Sequence, residues 1–228
     1  MMIRIIEFTV SQIKNRDFRF DKKVSTSYVV GIALSKIACL IRGLAYANKI
    51  IFIGKGTKVL ARKQLNLKSK NVELGKYCTL DNLSKEGITI GDNFKLGDFS
   101  KVIASGTIRD IGKGILIGNN VAIGEYSYIG GAGGVVIGND CIIGQYFSLH
   151  PENHKYSNKE YLIREQGVSR KGIRIGNNCW IGAKVTICDG VCIGDNCVIA
   201  AGSVLTKSFG ENSLIGGVPA KHIKQTYE

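Results

Sequence analysis

The 228 residues carry 31 Lys and Arg against 18 Asp and Glu, with 29 glycines, two prolines and seven cysteines. That length supports one full-size domain with an appendage, and abundant glycine with little proline excludes collagen and proline-rich linkers while suiting a fold with many tight turns. Seven is an odd number of cysteines, their spacing matches no zinc or disulfide framework, and a reduced, cytoplasmic protein is expected.

The net charge of +13 is uneven: residues 1–72 hold 15 basic and three acidic side chains, the other 156 hold 16 and 15. A basic segment of this kind attracts anionic surfaces such as lipid head groups, and it serves equally as a solvated face. No nucleic-acid-binding motif accompanies it, so no nucleic-acid partner is expected. No charge-free run of 18 or more apolar residues and no secretory-signal pattern is found, which gives no clear membrane span.

Residues 1–50 read as a basic, amphipathic helical segment. In "STSYVVGIALSKIACLIRGLAYAN" (25–48), Val30, Leu34, Ile37, Ile41 and Leu44 recur at helical spacing, with Lys36 and Arg42 off the stripe. Two fates suit it: a membrane-surface helix, giving peripheral contact at an inner membrane face, or a helix packed on the rest of the chain or on a neighbouring subunit.

From residue 51 to 215 a different period takes over. Between Val59 and Leu80 the pattern is weak, and irregular early turns are expected. Then aliphatic residues recur every six positions: Ile90, Leu96, Val102, Ile108; Ile111, Ile117, Ile123, Ile129; Ile137, Ile143, Leu149; and Ile175 through Leu205. A period of six cannot be an amphipathic helix and marks a hexapeptide β-helix, three hexads to a triangular coil. The aliphatic residue points inward. Two positions earlier a second inward site holds small or medium residues, among them Val121, Ser127, Val135, Cys141, Cys179, Val185, Val191 and Cys197. Cys179 and Cys197, one coil apart, should stack as buried thiols. Tyr126 and Tyr128 face outward by phase.

The rhythm breaks at "LHPENHKYSNKEYLIREQG" (149–167), where about 20 residues leave the prism as a loop over 150–170. Long loops on rigid scaffolds carry function, and this one holds two of the three histidines, His150 and His154. Trp180, the lone tryptophan, precedes inward Ile181 and so points outward. A short C-terminal helix is expected within the tail 216–228.

"WIGAKVTICDGVCIGDNCVIAAGSVLTK" (180–207) and "GGVPAKHIK" (216–224) resemble the sugar O-acetyltransferases of the left-handed β-helix class, the galactoside and maltose acetyltransferase type. The "ENH" loop running into "REQGVSRKGI" and the basic helical N-terminus bring the likeness nearest to acetyltransferases of surface-polysaccharide biosynthesis. The resemblance covers most of the chain. It implies an all-β solenoid, a left-handed parallel β-helix, forming a homotrimer with active sites between subunits, with acetyl-CoA as co-substrate, a sugar as acceptor and no metal. A loop histidine would be the general base, chemistry suited to an imidazole that titrates near neutrality.

In the family that histidine lies ten residues after the corner glycine of the last regular hexad. Here the glycine is Gly144, which selects His154. Glu152 or a backbone carbonyl would orient the ring; His150 and Asn153 would meet the acceptor. Trp180, Ala183, Ala201, Thr206, Lys207, Lys221 and Lys224 match donor-site positions, the last two facing CoA phosphates with a looser fit than arginine gives. Serine or amino-sugar N-acetyl transfer on the same fold remains an alternative acceptor chemistry. A γ-carbonic-anhydrase-like zinc site lacks its third histidine, and an ice-binding helix lacks threonine arrays.

Overall fold

The computed structural model describes residues 5–8, 11, 17–46, 51–68 and 71–227; Ala47 and Asn48, in the expected helix, lie outside them. From Ile51 the chain winds into a parallel β-helix whose strands of two or three residues build three faces, and this fits the expected left-handed hexapeptide prism. The first face has nine strands, from Ile51–Ile53 to Ala220–Gln225; the second has seven, from Lys58–Leu60 to Val204–Leu205; the third has six, from Leu65–Leu67 to Cys192–Ile193. Neighbours within a face pair in parallel, save the last two strands of the first face, as Ile142–Ile143 does with Trp180–Ile181 and that strand with Val198–Ile199.

The core is one continuous column of the inward side chains. Ile123, Ile129, Ile137, Ile143, Leu149, Ile181, Ile187 and Ile199 are buried, as are all eight of the second inward positions named from the sequence. That second position also accepts Phe94 and Phe147, which are fully buried. Cys179 lies between the Cys141 and Cys197 thiols. Its own thiol is pushed up to about 11, chiefly by the Cys141 side chain, so this stack is packing material rather than a reactive site.

Two of the three corners meet the same backbone demand, a residue with φ near +55°, each in its own way. One column uses Asn93, Asn120, Asp140, Asn178, Asn196 and Asn212, whose short polar side chains tolerate that conformation. Another uses Tyr77, Phe99, Tyr126 and Tyr146, whose rings stack face to face at 5.0–5.4 Å along the prism edge. The stacking offsets the backbone cost, and Tyr126 is thereby a rung of this ladder.

Four expectations change. Ile108 does not continue the repeat: it is 91% exposed, and Ile111 is only half-buried. Residues 104–114 link the second face to the third through a second, shorter excursion, although Ala104 itself stays in the core, and the coil resumes at Ile115, which pairs with Ile88. The early coils are longer than 18 residues but keep full pairing, Ile51 with Val72 and Lys58 with Thr79. The C-terminal helix is absent. Ser213–Gly217 joins the first face and Ala220–Gln225 folds back on it as an antiparallel hairpin, through a turn with a cis Val218–Pro219 bond. The tail pairs with the exposed sheet edge, which supplies backbone partners that a free helix would not use.

The N-terminal helix is present at Thr26–Tyr46, with Ser25 Oγ accepting the Tyr28 N–H at its start. It packs on the edge strand Ile51–Ile53 through a mixed side, with Gly43 against the strand, Lys36 and Arg42 bonded to the first coils, and Val29 its most buried side chain. Lys36 Nζ reaches Glu73 at 2.5 Å, Arg42 Nε donates to the Ile53 carbonyl at 2.8 Å, and a Cβ on Gly43 would overlap the Ile51 carbonyl oxygen. Its segment Thr26–Ala45 is long and apolar enough to cross a membrane by length and composition.

Ile187→Ala removes a fully buried rung and is expected to cost about 2–5 kcal/mol, read as a lower urea midpoint at unchanged slope. Ile108→Ala, outside the prism, should change stability by less than about 0.5 kcal/mol.

Candidate active site

The long loop leaves the second face after strand Ser148–His150 and returns to the third face at Ile173. Its two legs form a short antiparallel ribbon, Asn153–His154 against Val168–Ser169, so His154 is held opposite Val168. The Lys155 N–H donates to the Gly167 carbonyl, and the Gln166 side chain ties the Asn158 and Tyr161 carbonyls together at the tip. The loop is therefore hydrogen-bonded along its length.

Two anchors hold it to the scaffold. Asp189, buried at the corner after strand Thr186–Cys188, accepts the Lys171 and Gly172 N–H groups at 2.8–3.0 Å. Arg170 donates from Nε to Glu152 at 2.6 Å and from Nη1 to Asp110 at 2.9 Å. One guanidinium thus ties the loop's two ends together and binds both to the shorter excursion 104–114. The planar fork suits such two-way bridging. Sequence reading missed Arg170, Asp110 and Asp189, because the pairs are far apart in the chain and only the coil geometry joins them. "CDG", an acid before a corner glycine beneath the loop's return, is the one local signal.

His154 is exposed at the mouth of an open cleft of about 610 Å³, shared with Asn153, Lys155, Tyr156, Ser157, Ser169, Cys188, Asp189 and Thr206. Glu152 gives its carboxylate to Arg170, and among the described residues no hydrogen bond joins it to the His154 ring. His150 lies on the prism face itself. Its Nε2 is 2.6 Å from Ser148 Oγ, and its ring stacks on Tyr128 with centroids 5.6 Å apart. Burial, and then the Asp189 carboxylate, push the Cys188 thiol up, so it enters the cleft as a neutral thiol and not as a thiolate nucleophile.

The remaining expected residues lie around the prism. Trp180 is 60% exposed on the first face, the sheet whose last strand carries Lys221 and Lys224, both exposed. Ala183 and Ala201 occupy the corner between the first and second faces. A Cβ on Gly182 would come within 2.6 Å of the Ala201 nitrogen, which shows how closely the backbones approach there. Thr206 opens onto the His154 cleft, and Lys207 sits with Nζ 5.8 Å from the Phe209 ring centre. The structure thus brings His154, Asn153 and Thr206 together. It leaves Trp180, Lys221 and Lys224 on another face of the same chain.

Residues 172–207, where coil neighbours fall 18 residues apart as Trp180 and Val198 do, match the family described as bacterial transferase hexapeptide (six repeats). A protein of Escherichia coli K12 named as a lipopolysaccharide biosynthesis O-acetyl transferase, WbbJ, is 30% identical over 60% of this chain and 71% of its own length. The galactoside O-acetyltransferase of the same organism is 40% identical over 40% of this chain and 44% of its own. A Mycobacterium tuberculosis protein named as an acetyltransferase is 25% identical over 77% and 50%. The chain belongs to the hexapeptide-repeat transferase family. It spans about half the length of two of these relatives and 71% of WbbJ.

Among solved structures, a variant of AntD, an N-acyltransferase from Bacillus cereus in complex with dTDP-4-amino-4,6-dideoxyglucose and coenzyme A, superposes with a TM-score of 0.54 at 20% identity, covering 81% of this chain and 88% of that one. At that identity the likeness is one of fold.

Arg170→Met should free the base of the loop: amide exchange at Lys155 and proteolysis within 155–168 rise, while the urea midpoint moves little. Unchanged exchange would show that the ion pairs do not hold the loop.

Proposed function

We propose that this protein is an acetyl-CoA-dependent O-acetyltransferase acting on a sugar hydroxyl in surface-polysaccharide biosynthesis. The observation that carries the reading is His154 on a braced ribbon at the mouth of the cleft it shares with Thr206. The names of the bacterial relatives support it.

In this reading acetyl-CoA supplies the activated acetyl group and the chain supplies position and proton transfer. His154 accepts the hydroxyl proton as the acceptor oxygen bonds to the acetyl carbon and the carbon–sulfur bond breaks. It then returns that proton to the departing thiolate, so one direct transfer balances without a covalent enzyme intermediate. Asn153, adjacent on the ribbon, and His150, on the face beneath, would meet the acceptor. Glu152 would serve through Arg170, fixing the strand that carries His154. Trp180, Ala183, Ala201, Thr206, Lys207, Lys221 and Lys224 would line the donor groove. The small side chains of Ala183 and Ala201, neither of them buried, would let an extended pantetheine arm approach, and the lysines would face the CoA phosphates.

His154 and Trp180 stand on different faces of one chain, an arrangement that suits a site shared between two copies. This supports a homotrimer with a site at each subunit contact, and light scattering should return three times 24.7 kDa. Cytoplasmic residence belongs to the same proposal, since acetyl-CoA is a cytoplasmic metabolite.

Against a panel of free and nucleotide-linked sugars, thiol release should be acceptor-dependent. His154→Ala should lower kcat/KM by about 10²–10⁴-fold with acetyl-CoA affinity unchanged. His150→Ala should cost less than about tenfold, because its ring is engaged on the prism. If His154→Ala keeps full rate, the assignment of the base is wrong.

A further inference from the structure

The helix Thr26–Tyr46 has two apolar sides, only one of which the chain covers. Its docked side sets Val29 and Gly43, with the cations Lys36 and Arg42, against the chain, and its long apolar stripe faces out. Tyr28, Leu34, Ile37, Ile41 and Leu44 are all exposed. A contiguous apolar stripe of this size on a soluble surface marks an interaction site. We infer that this stripe is a docking surface for an anionic lipid bilayer, with the helix lying flat in the head-group region.

Charge selects the occupant. Residues 1–72 carry a net +12, from 15 basic and three acidic side chains, and the exposed Lys22 and Lys23 directly precede the helix. A second copy meeting the first through this same stripe would bring its own Lys22 and Lys23 to that contact and supply no counter-charge for them. An anionic bilayer offers apolar depth for the stripe and counter-charge for the lysines together.

The docking contacts also decide between lying on a membrane and crossing it. Crossing would pull Lys36 from Glu73 and Arg42 from the Ile53 carbonyl and place both cations within the hydrocarbon, at a cost of several kcal/mol. Lying flat keeps both contacts and buries only the stripe. The inference stands apart from the acetyl-transfer reading; it adds that acceptors at a membrane surface would be within reach.

The test is sedimentation of the full chain with vesicles of phosphatidylcholine and phosphatidylglycerol, and with phosphatidylcholine alone. Wild type should sediment with the anionic vesicles, less so at high salt, and Ile37→Glu/Ile41→Glu should lose that partition by about tenfold or more. Both positions are exposed, so the double variant should keep its far-ultraviolet circular dichroism. Its acetyl-CoA binding, measured alongside, reports separately on the donor site. Failure of wild type to sediment, or equal sedimentation of the double variant, would overturn the inference. So would a change in oligomeric mass of the variant while wild type ignores vesicles, which would identify the stripe as a subunit contact.

Discussion

Every inward aliphatic side chain of the prism rests on its counterpart one coil away, at the roughly 4.8 Å spacing that parallel strand pairing imposes. Ile143, Ile181 and Ile199 form one such column along the first face. Because the pairing fixes both the rise and the register, residues inserted between strands must leave the prism as loops. They cannot be absorbed by stretching a coil. The 104–114 and 151–172 excursions are the result, and the coils on either side of each meet in unbroken register.

The excursions would be of little use if they were free. Arg170 turns two separate insertions into one braced unit, and Asp189 clamps the return strand from below. Both anchors sit on or against the scaffold, so the rigidity of the stacked core passes to the ribbon that carries His154. In the proposed reading His154 is a base that must meet a hydroxyl at hydrogen-bond distance, and such a base would need that kind of support. The N-terminal helix follows a related logic: Lys36 and Arg42 tie it to the first coils, which leaves its outer apolar stripe exposed.

Much of this was legible in the sequence. The six-residue period marks the prism, its inward columns and the loop, because side-chain direction in a coil is strictly periodic. Ile108 shows where that signal misleads. It keeps the spacing by coincidence inside an excursion, and period alone cannot tell an inward isoleucine from an exposed one. Phe94 and Phe147 show that the second inward site tolerates more volume than its cysteines and valines suggested. The hairpin after Gly216 was missed because its partner is the sheet edge left by the last coil, a feature of the assembled prism and not of the local sequence. Arg170 and Asp110 lie 60 residues apart and were invisible for the same reason.

The central claim is that this prism holds acetyl-CoA. Calorimetric titration of the purified protein with acetyl-CoA, beside coenzyme A lacking its 3′-phosphate and an inorganic polyphosphate, tests it most directly, because a strongly basic chain can hold any polyanion. Saturable binding stoichiometric with the chain, weakened by loss of the 3′-phosphate and not displaced by polyphosphate, is the predicted result. No binding, or binding that polyphosphate matches, would contradict the account and leave the cleft beside His154 without its donor.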